Sequence, residues 1–193
     1  SMRRIALRPL SLVVILFLMA AIVGAQAPVP TNEDQEIAKT VVDLLEHGHM
    51  ARPVIDDEIA VKWCDNFLKD LDPQKYYFLK GDVEEFKKGA KNLDDQVREG
   101  RIDFASTVFE RFLQRQDERY KTVTELLAKP LDFSADEYLT DDPEKVDYAK
   151  DKAEADERWR KKLKFEELQL RLDDSTTPEE SVKKLTIRYR DRN

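Results

Sequence analysis

The sequence predicts an all-α protein, an irregular bundle of about six helices preceded by an export signal. Apolar residues recur at intervals of three and four through most of the chain, as they do on the buried face of an amphipathic helix. The 193 residues include only five glycines, and 38% of the residues are charged, which is typical of helices with solvated outer faces. No segment shows the strict two-residue alternation of a half-buried strand, so a sheet-based fold is not expected.

The first 25 residues have the three parts of a secretory signal peptide. Their basic start contains three arginines, Arg3, Arg4 and Arg8. An uncharged apolar run follows over residues 10–24. We expect cleavage after Ala25, because cleavage after Ala27 would leave a proline beside the cut. An uncleaved anchor is the alternative, since the run is at the short end of the ~20 residues that a spanning helix needs. The working part of the protein is therefore expected outside the cytoplasm.

The mature chain is acidic and carries one cysteine. Without the three arginines of the signal, 30 basic residues stand against 40 acidic ones, a net charge near −10. This balance argues against a nucleic-acid binder, because such proteins neutralise phosphates with an excess of cations. Cys64 has no second cysteine to pair with, so packing must hold the fold together. The length is enough for one domain with a modest core.

The helical domain is predicted over residues 34–193, after a short extended linker at 26–33. Thr31 or Asn32 can cap the first helix, because each has an acid or amide three residues later. That helix is predicted to end near residues 47–49. Its apolar face contains Ile37, Val41, Leu44 and Leu45.

A second helix is predicted from about Asp56, and Asp72 followed by Pro73 ends it. Its apolar residues repeat every four positions, at Ile59, Trp63, Phe67 and Leu71. The stretch 74–80 that follows is aromatic and has no helical period. We therefore expect these aromatic side chains to plug the core from a loop.

The third helix is predicted to begin with Asp82 as its cap, with Glu85 completing a capping box, and to end at Gly100. The fourth helix is the longest; it begins near Asp103 and ends before Pro130.

Residues 131–152 are acidic with little periodicity, which predicts a long surface connection. A fifth helix is predicted over residues 153–172, with apolar positions at Trp159, Leu163, Phe165, Leu168, Leu170 and Leu172. The sixth helix has a clear start, with Thr177 as cap and Pro178 at the first helical position. It runs to Asn193 without a glycine or proline to stop it, which favours a truncated helix.

No residue is predicted to be catalytic, to hold a cofactor or to bind a metal. His47 and His49 would lie about 200° apart on a helix, and neither a third His nor a nearby Cys supports a metal site. Cys64 lies in an amphipathic helix with no His placed to activate it, so we expect a buried small residue. The acidic stretch 132–151 lacks the glycine and the alternating ligands of a calcium loop.

Three arginines at intervals of four, Arg111, Arg115 and Arg119, form a basic stripe on the fourth helix. The stripe could receive an acidic partner, but acids are interleaved with it, so ion pairing along the helix is the favoured interpretation. The sequence contains neither a Gly-x-Ser-x-Gly elbow nor a glycine-rich phosphate loop. The residues alone therefore indicate an exported helical domain without a recognisable reaction centre.

Four segments resemble the N-terminal helical domain of tail-specific proteases, the C-terminal-processing peptidases of the S41 family. The most specific is 67–86, which contains Leu-Asp-Pro followed by an aromatic run. The others follow in the order expected for that domain: 119–133 with Lys-Pro-Leu-Asp-Phe, 159–172 with Lys-Phe-Glu-Glu-Leu, and 185–189 with Leu-Thr-Ile-Arg-Tyr. The similarity covers about residues 33–190, and none of these segments is a catalytic motif.

The resemblance implies a parent protein with a PDZ domain, which captures the C-terminal tail of a substrate, and a serine nucleophile activated by a desolvated lysine. The positions of that Ser/Lys pair lie beyond this sequence, so no catalytic residue is carried over. The implied role is a periplasmic, non-catalytic scaffold and docking domain without a cofactor. Its implied partners are the downstream PDZ and protease domains, substrates with unstructured C-termini, and a periplasmic adaptor protein. The alternative is a free-standing periplasmic binding or adaptor module.

Overall fold

The computed structural model describes residues 30–48, 56–140, 142–172 and 176–191. Within these ranges the chain is helical, and its β-structure is limited to an isolated bridge between Leu79 and Ala149, so the all-α prediction is confirmed. The helices are α1 Asn32–Asp43, α2 Asp57–Leu71, α3 Lys80–Gly89, α4 Leu93–Arg98, α5 Asp103–Leu127, α6 Lys152–Arg171 and α7 Pro178–Arg190.

The predicted signal peptide, residues 1–25, lies outside the described residues and stays a prediction. Within the ranges given above, no helix combines the length and the apolar character needed to cross a membrane. The described residues form two compact units. One comprises those up to Phe67 together with Gly89–Glu110, and the other comprises Leu68–Lys88 together with those from Arg111 onwards.

In the first unit, α1 begins with a capping box. The Thr31 side chain accepts a hydrogen bond from the backbone N–H of Asp34, and the Asp34 carboxylate accepts one from the backbone N–H of Thr31. Thr31 is thus the cap, and Asn32 is the first helical residue. After Asp43 the chain continues as a π-helical turn, Leu44–Gly48.

The predicted apolar face of α1 is only partly correct. Ile37 and Leu44 are 40% and 65% exposed, and the buried residue of the helix is Val42. Among the described helices, α1 packs against α4, a helix of six residues. Periodicity identifies an apolar stripe but not how much of it a neighbour covers.

The deepest residues of α2 lie one position after the predicted stripe. Ala60, Cys64 and Leu68 repeat every four residues and are at most 2% exposed, whereas Ile59, Trp63, Phe67 and Leu71 are partly exposed. The two smallest side chains of the helix thus lie at its most buried positions, which is consistent with close approach of neighbouring backbone.

The predicted third helix is interrupted and starts earlier than expected. It begins at Lys80 and ends at Gly89, followed by a 3-10 turn, Ala90–Asn92, and then by α4. Glycine is costly inside a helix because it loses more backbone freedom than other residues, which accounts for the break at Gly89. Asp82 is consequently the third residue of the helix, and its predicted role as the cap is wrong.

Gly100 confirms the predicted stop, since its φ of +75° is a conformation that favours glycine. A Cβ here would lie 2.6 Å from Cε of Lys39 and 3.0 Å from the backbone oxygen of Gln35. We therefore expect Gly100→Ala to lower the free energy of unfolding by about 1–2 kcal/mol. Gly81→Ala is the matched control, because a Cβ at Gly81 would have no neighbour within 4 Å. Urea unfolding should show the control neutral or up to about 1 kcal/mol more stable; equal losses in both variants would contradict the expectation.

The remaining helices follow the predictions except at the last helix end, because α7 ends at Arg190 and does not run on towards Asn193. Helix α5 ends at Leu127, three residues before Pro130, and the following segment up to α6 contains no helix among its described residues. Helix α7 begins with the predicted Thr177, which forms a complete capping box with Glu180, and Pro178 is its first residue.

The core of the second unit lies among α5, α6 and α7. Helices α6 and α7 pack against each other, and a cluster of buried residues joins them to the end of α5. Its members are Val123, Leu127, Trp159, Leu163, Leu185 and Tyr189. On the other side of α6, Phe165, Leu168 and Leu172 are 46%, 48% and 76% exposed, so half of the apolar positions predicted for this helix are not core residues.

Candidate functional site: an aromatic loop held by buried charges

The connection between α2 and α3, residues 73–79, is here called the aromatic loop. It is organised by Asp72, which follows the last residue of α2 and is 1% exposed. The Asp72 carboxylate accepts backbone N–H bonds from Tyr76, Tyr77 and Phe78 at 2.8, 2.9 and 3.0 Å. Three donors of an irregular segment are thus satisfied by one side chain, as buried N–H groups require.

The aromatic side chains of this loop enter the core, as the sequence predicts. Phe78 is 1% exposed and its ring lies 5.6 Å from the ring of Phe86. Tyr76 and Tyr77 make edge contacts with Trp159, with ring centroids 5.6 and 5.7 Å apart, a favourable geometry for aromatic pairs. The indole N–H of Trp159 donates to the backbone oxygen of Tyr76 at 3.0 Å, so the same ring also fixes the loop backbone.

Asp82 connects the start of α3 to α5. Its carboxylate accepts the backbone N–H of Leu79 at 2.9 Å, which satisfies a free donor at the helix start. It also accepts two hydrogen bonds from Arg115, from Nε at 2.8 Å and from Nη2 at 2.9 Å, and a further one from Arg111. Burial alone would raise the pKa of Asp82, but the hydrogen bonds from Arg115, Leu79 and Arg111 outweigh it and lower that pKa below its ordinary value.

Arg119 is the most buried member of the basic stripe, with 1% exposure. Its Nη1 donates to the Asp156 carboxylate of α6 at 2.7 Å, and Thr122 donates to the same oxygen at 3.1 Å. The Nε and Nη2 groups of Arg119 are buried without a hydrogen-bond partner among the described residues. Burial lowers the pKa of Arg119, whereas the charge of Asp156 opposes that change.

The Arg119 charge also acts on Asp72 through space. Burial raises the pKa of Asp72, and the backbone N–H groups of Phe78, Tyr77 and Tyr76, together with the Arg119 charge, offset part of the rise. Buried or half-buried ion pairs therefore join α3 to α5 through Asp82 and join α5 to α6 through Arg119 and Asp156.

The basic stripe thus mainly forms ion pairs with other helices of the same unit. Ion pairing along the helix, the favoured interpretation, is found between Arg115 and Glu118 at 2.8 Å. The other ion pairs of the stripe use acids of α3 and α6, which the interleaved pattern on α5 could not reveal. Such a network supports the shape of the domain and leaves these carboxylates and guanidinium groups engaged with one another.

The other candidate residues remain apart. His47 is exposed and lies 3.1 Å from the Asp43 carboxylate, and His49 is outside the described residues. Cys64 is 1% exposed. Across the part of the chain that the structure describes, no three His, Cys, Asp or Glu side chains are grouped as metal ligands. In the acidic connection, Asp132 and Asp142 accept backbone N–H groups two residues further along the chain.

Two features of the site go beyond the sequence-based predictions. The sequence predicts only a helix end at Asp72, although an Asp just before a Pro and a loop is a frequent acceptor for nearby backbone N–H groups. Glu137 is held by Arg160 and Lys164, 23 and 27 residues further along the chain. No local sequence pattern can indicate the contacts of Glu137, because α6 lies beside this residue only in the folded state.

Asp82 should make the domain sensitive to acid. Because its folded pKa is below the ordinary value of 3.8, its stabilising contribution is present above that value and is lost as the pH falls through the folded pKa. We expect the free energy of unfolding to fall between pH 5 and pH 3, and Asp82→Asn to flatten this part of the profile. Urea unfolding at each pH measures both. An unchanged slope in the variant would show that other carboxylates cause the effect.

The fold and this site together define a helical domain in which buried charged side chains hold an aromatic loop in place. The chain belongs to the tail-specific protease N-terminal domain family, whose sequence profile matches residues 41–193. It is also 29% identical over 163 residues to the tail-specific protease of Haemophilus influenzae (strain ATCC 51907 / DSM 11121 / KW20 / Rd). That match covers 84% of this chain and 23% of the relative, so the chain spans about a quarter of the protease it matches. The resemblance inferred from the sequence is confirmed.

Proposed function

We propose that this chain is the non-catalytic N-terminal scaffold and docking domain of a tail-specific serine protease that trims or degrades envelope proteins. The observation that carries the proposal is the family match over residues 41–193. It is supported by the relative, a tail-specific protease of which the matched part is 23%. The geometry agrees with a scaffold, because its buried charges hold a loop and helices in place.

The proposal places the domain in the periplasm, delivered by the signal at residues 1–25. There it would contact the PDZ and protease domains of the same polypeptide, which supply the Ser/Lys chemistry. Substrates with unstructured C-termini and a periplasmic adaptor are its further partners. The chain alone should therefore not cleave an unstructured protein with an apolar C-terminus, and site-specific cleavage by a clean preparation would refute this.

A chimaera tests the scaffold role. The matched region of the Haemophilus influenzae protease is replaced by residues 41–193 of this chain, and cleavage of an unstructured substrate with an apolar C-terminus is measured. The chimaera should retain most of the activity, whereas deletion of the region should abolish it. A chimaera carrying Asp72→Ala should also lose activity, because the aromatic loop is then no longer held.

The free-standing adaptor alternative makes the opposite prediction for the same experiment. If the protease without the region cleaves as fast as the intact enzyme, the region is not a required scaffold and the proposal fails. The alternative then gains support if the full chain alone is folded and binds a periplasmic protein.

A further inference from the structure

The connection between α5 and α6 contains an acidic strap, residues 132–140, which lies along α6. The Glu137 carboxylate accepts hydrogen bonds from Arg160 at 3.0 Å and from Lys164 at 2.7 Å. Lys164 also donates to the backbone oxygen of Ala135 at 2.9 Å. The strap therefore contacts two cations of α6, which lie one helical turn apart, through a carboxylate and a backbone oxygen.

An aromatic side chain completes the contact. The Phe133 ring lies 4.5 Å from the Arg171 guanidinium carbon and 5.6 Å from Lys164 Nζ, within the range of cation–π attraction. Arg160, Lys164 and Arg171, here called the cationic face, therefore bind one aromatic ring and one carboxylate that are four residues apart. The strap has the chemistry of a peptide ligand bound to this face.

The strap is less buried than the chain on either side of it. None of its residues is buried, and Tyr138 is 87% exposed. By contrast, Leu131 packs against the core cluster, and Ala149 is 2% exposed and bridged to Leu79. Because none of its residues is buried and few apolar contacts hold it, the strap should open locally without unfolding the domain.

Opening would uncover cations that the strap now shields from water. The Lys164 side chain is only 12% exposed and that of Arg160 is 28% exposed. Both cations carry N–H groups suited to charge-assisted bonds with a carboxylate. Arg160 also pairs with Glu157, and Arg171 with Glu167, so their positions on α6 are maintained when the strap leaves.

We propose that the strap is a displaceable self-ligand, and that the cationic face of α6 binds an acidic, unstructured protein segment carrying an aromatic residue four positions before a carboxylate. The strap then competes with that segment and limits its binding. This peptide-binding face goes beyond the scaffold role and does not depend on proteolytic activity.

Binding of a labelled peptide with the sequence of residues 131–140 tests the proposal. The full chain is compared with a strap-open variant, Phe133→Ala with Glu137→Gln, by fluorescence anisotropy. We expect the open variant to bind the peptide at least about ten-fold more tightly than the wild type. Hydrogen exchange should show faster exchange confined to the strap, and circular dichroism should confirm an unchanged helix content.

Two controls identify the face and the ligand chemistry. Arg160→Gln with Lys164→Gln in the strap-open background should abolish the gain. A control peptide carries Ala in place of its Phe, which corresponds to Phe133, and Gln in place of its Glu, which corresponds to Glu137. This peptide should bind neither protein, and the comparison remains informative if the arginine and lysine substitutions impair folding. A folded strap-open variant that binds no more tightly than the wild type, or that binds both peptides equally, would overturn the proposal.

Discussion

Replacing Asp72 with alanine is expected to lower the free energy of unfolding by about 3–5 kcal/mol, because three backbone N–H groups lose their acceptor at ~1–3 kcal/mol each. Asp72 is 1% exposed and satisfies the backbone N–H groups of Tyr76, Tyr77 and Phe78. Alanine would leave these three donors without the carboxylate that now accepts their hydrogen bonds. The loss should therefore exceed that of an ordinary hydrogen bond.

Asp72→Asn keeps part of the hydrogen bonding. The amide retains one acceptor oxygen for the loop, but its NH2 group cannot accept the remaining backbone N–H, so we expect an intermediate loss of about 1–3 kcal/mol. Guanidinium unfolding followed by circular dichroism measures both variants.

Asp70→Ala is the matched control for Asp72, because Asp70 is exposed near the same helix end. A surface change of this kind is expected to stay within about 0.5 kcal/mol. If Asp72→Ala costs no more than the control, the aromatic loop does not depend on this carboxylate.

Trp159→Ala should have an effect of similar size, a loss of about 3–5 kcal/mol, as is usual when a large aromatic residue is truncated in a core. Trp159 is 2% exposed, and its ring contacts those of Tyr76, Tyr77 and Tyr189. Truncation would create a cavity at the meeting point of the aromatic loop, α6 and α7. It would also remove the N–H donor to the Tyr76 carbonyl.

Two further substitutions test whether the loss of stability comes from the hydrogen bond, from the apolar volume or from the buried position of Trp159. Trp159→Phe keeps most of the apolar volume but loses the hydrogen bond, so its loss should lie between those of the wild type and the alanine variant. Phe165→Ala removes an aromatic ring from the same helix at a position that is 46% exposed, and it should cost little. Equal losses for Trp159→Ala and Phe165→Ala in thermal or chemical unfolding would contradict the assignment of the core.

Much of the helical layout could be predicted from the sequence because local chemistry specifies it. Thr177 followed by Pro178, and Gly100 with its positive φ, mark helix ends through the backbone conformations that these residues favour. The sequence does not show as clearly which residues inside each helix are buried. The exposed face of α6 depends on what packs nearby, and a periodic pattern does not contain that information.

The charge network shows the same limit at the candidate site. The sequence reveals Arg111, Arg115 and Arg119 as a stripe on one helix, but their acids Asp82 and Asp156 lie 29 to 37 residues away in the chain. The pairing of such distant groups depends on the packing of helices, so neighbouring acids in the sequence were the natural but incomplete choice of partners.

By itself, the sequence determined the all-α class, most helix boundaries and the family, because caps, glycines, prolines and the Leu-Asp-Pro aromatic motif are local features. Only the tertiary structure decided that Asp72 shapes the aromatic loop, that Arg119 is buried, and that an acidic strap covers cations of α6. These contacts join groups that are brought together by packing, and their energy depends on burial, which exists only once the chain has folded.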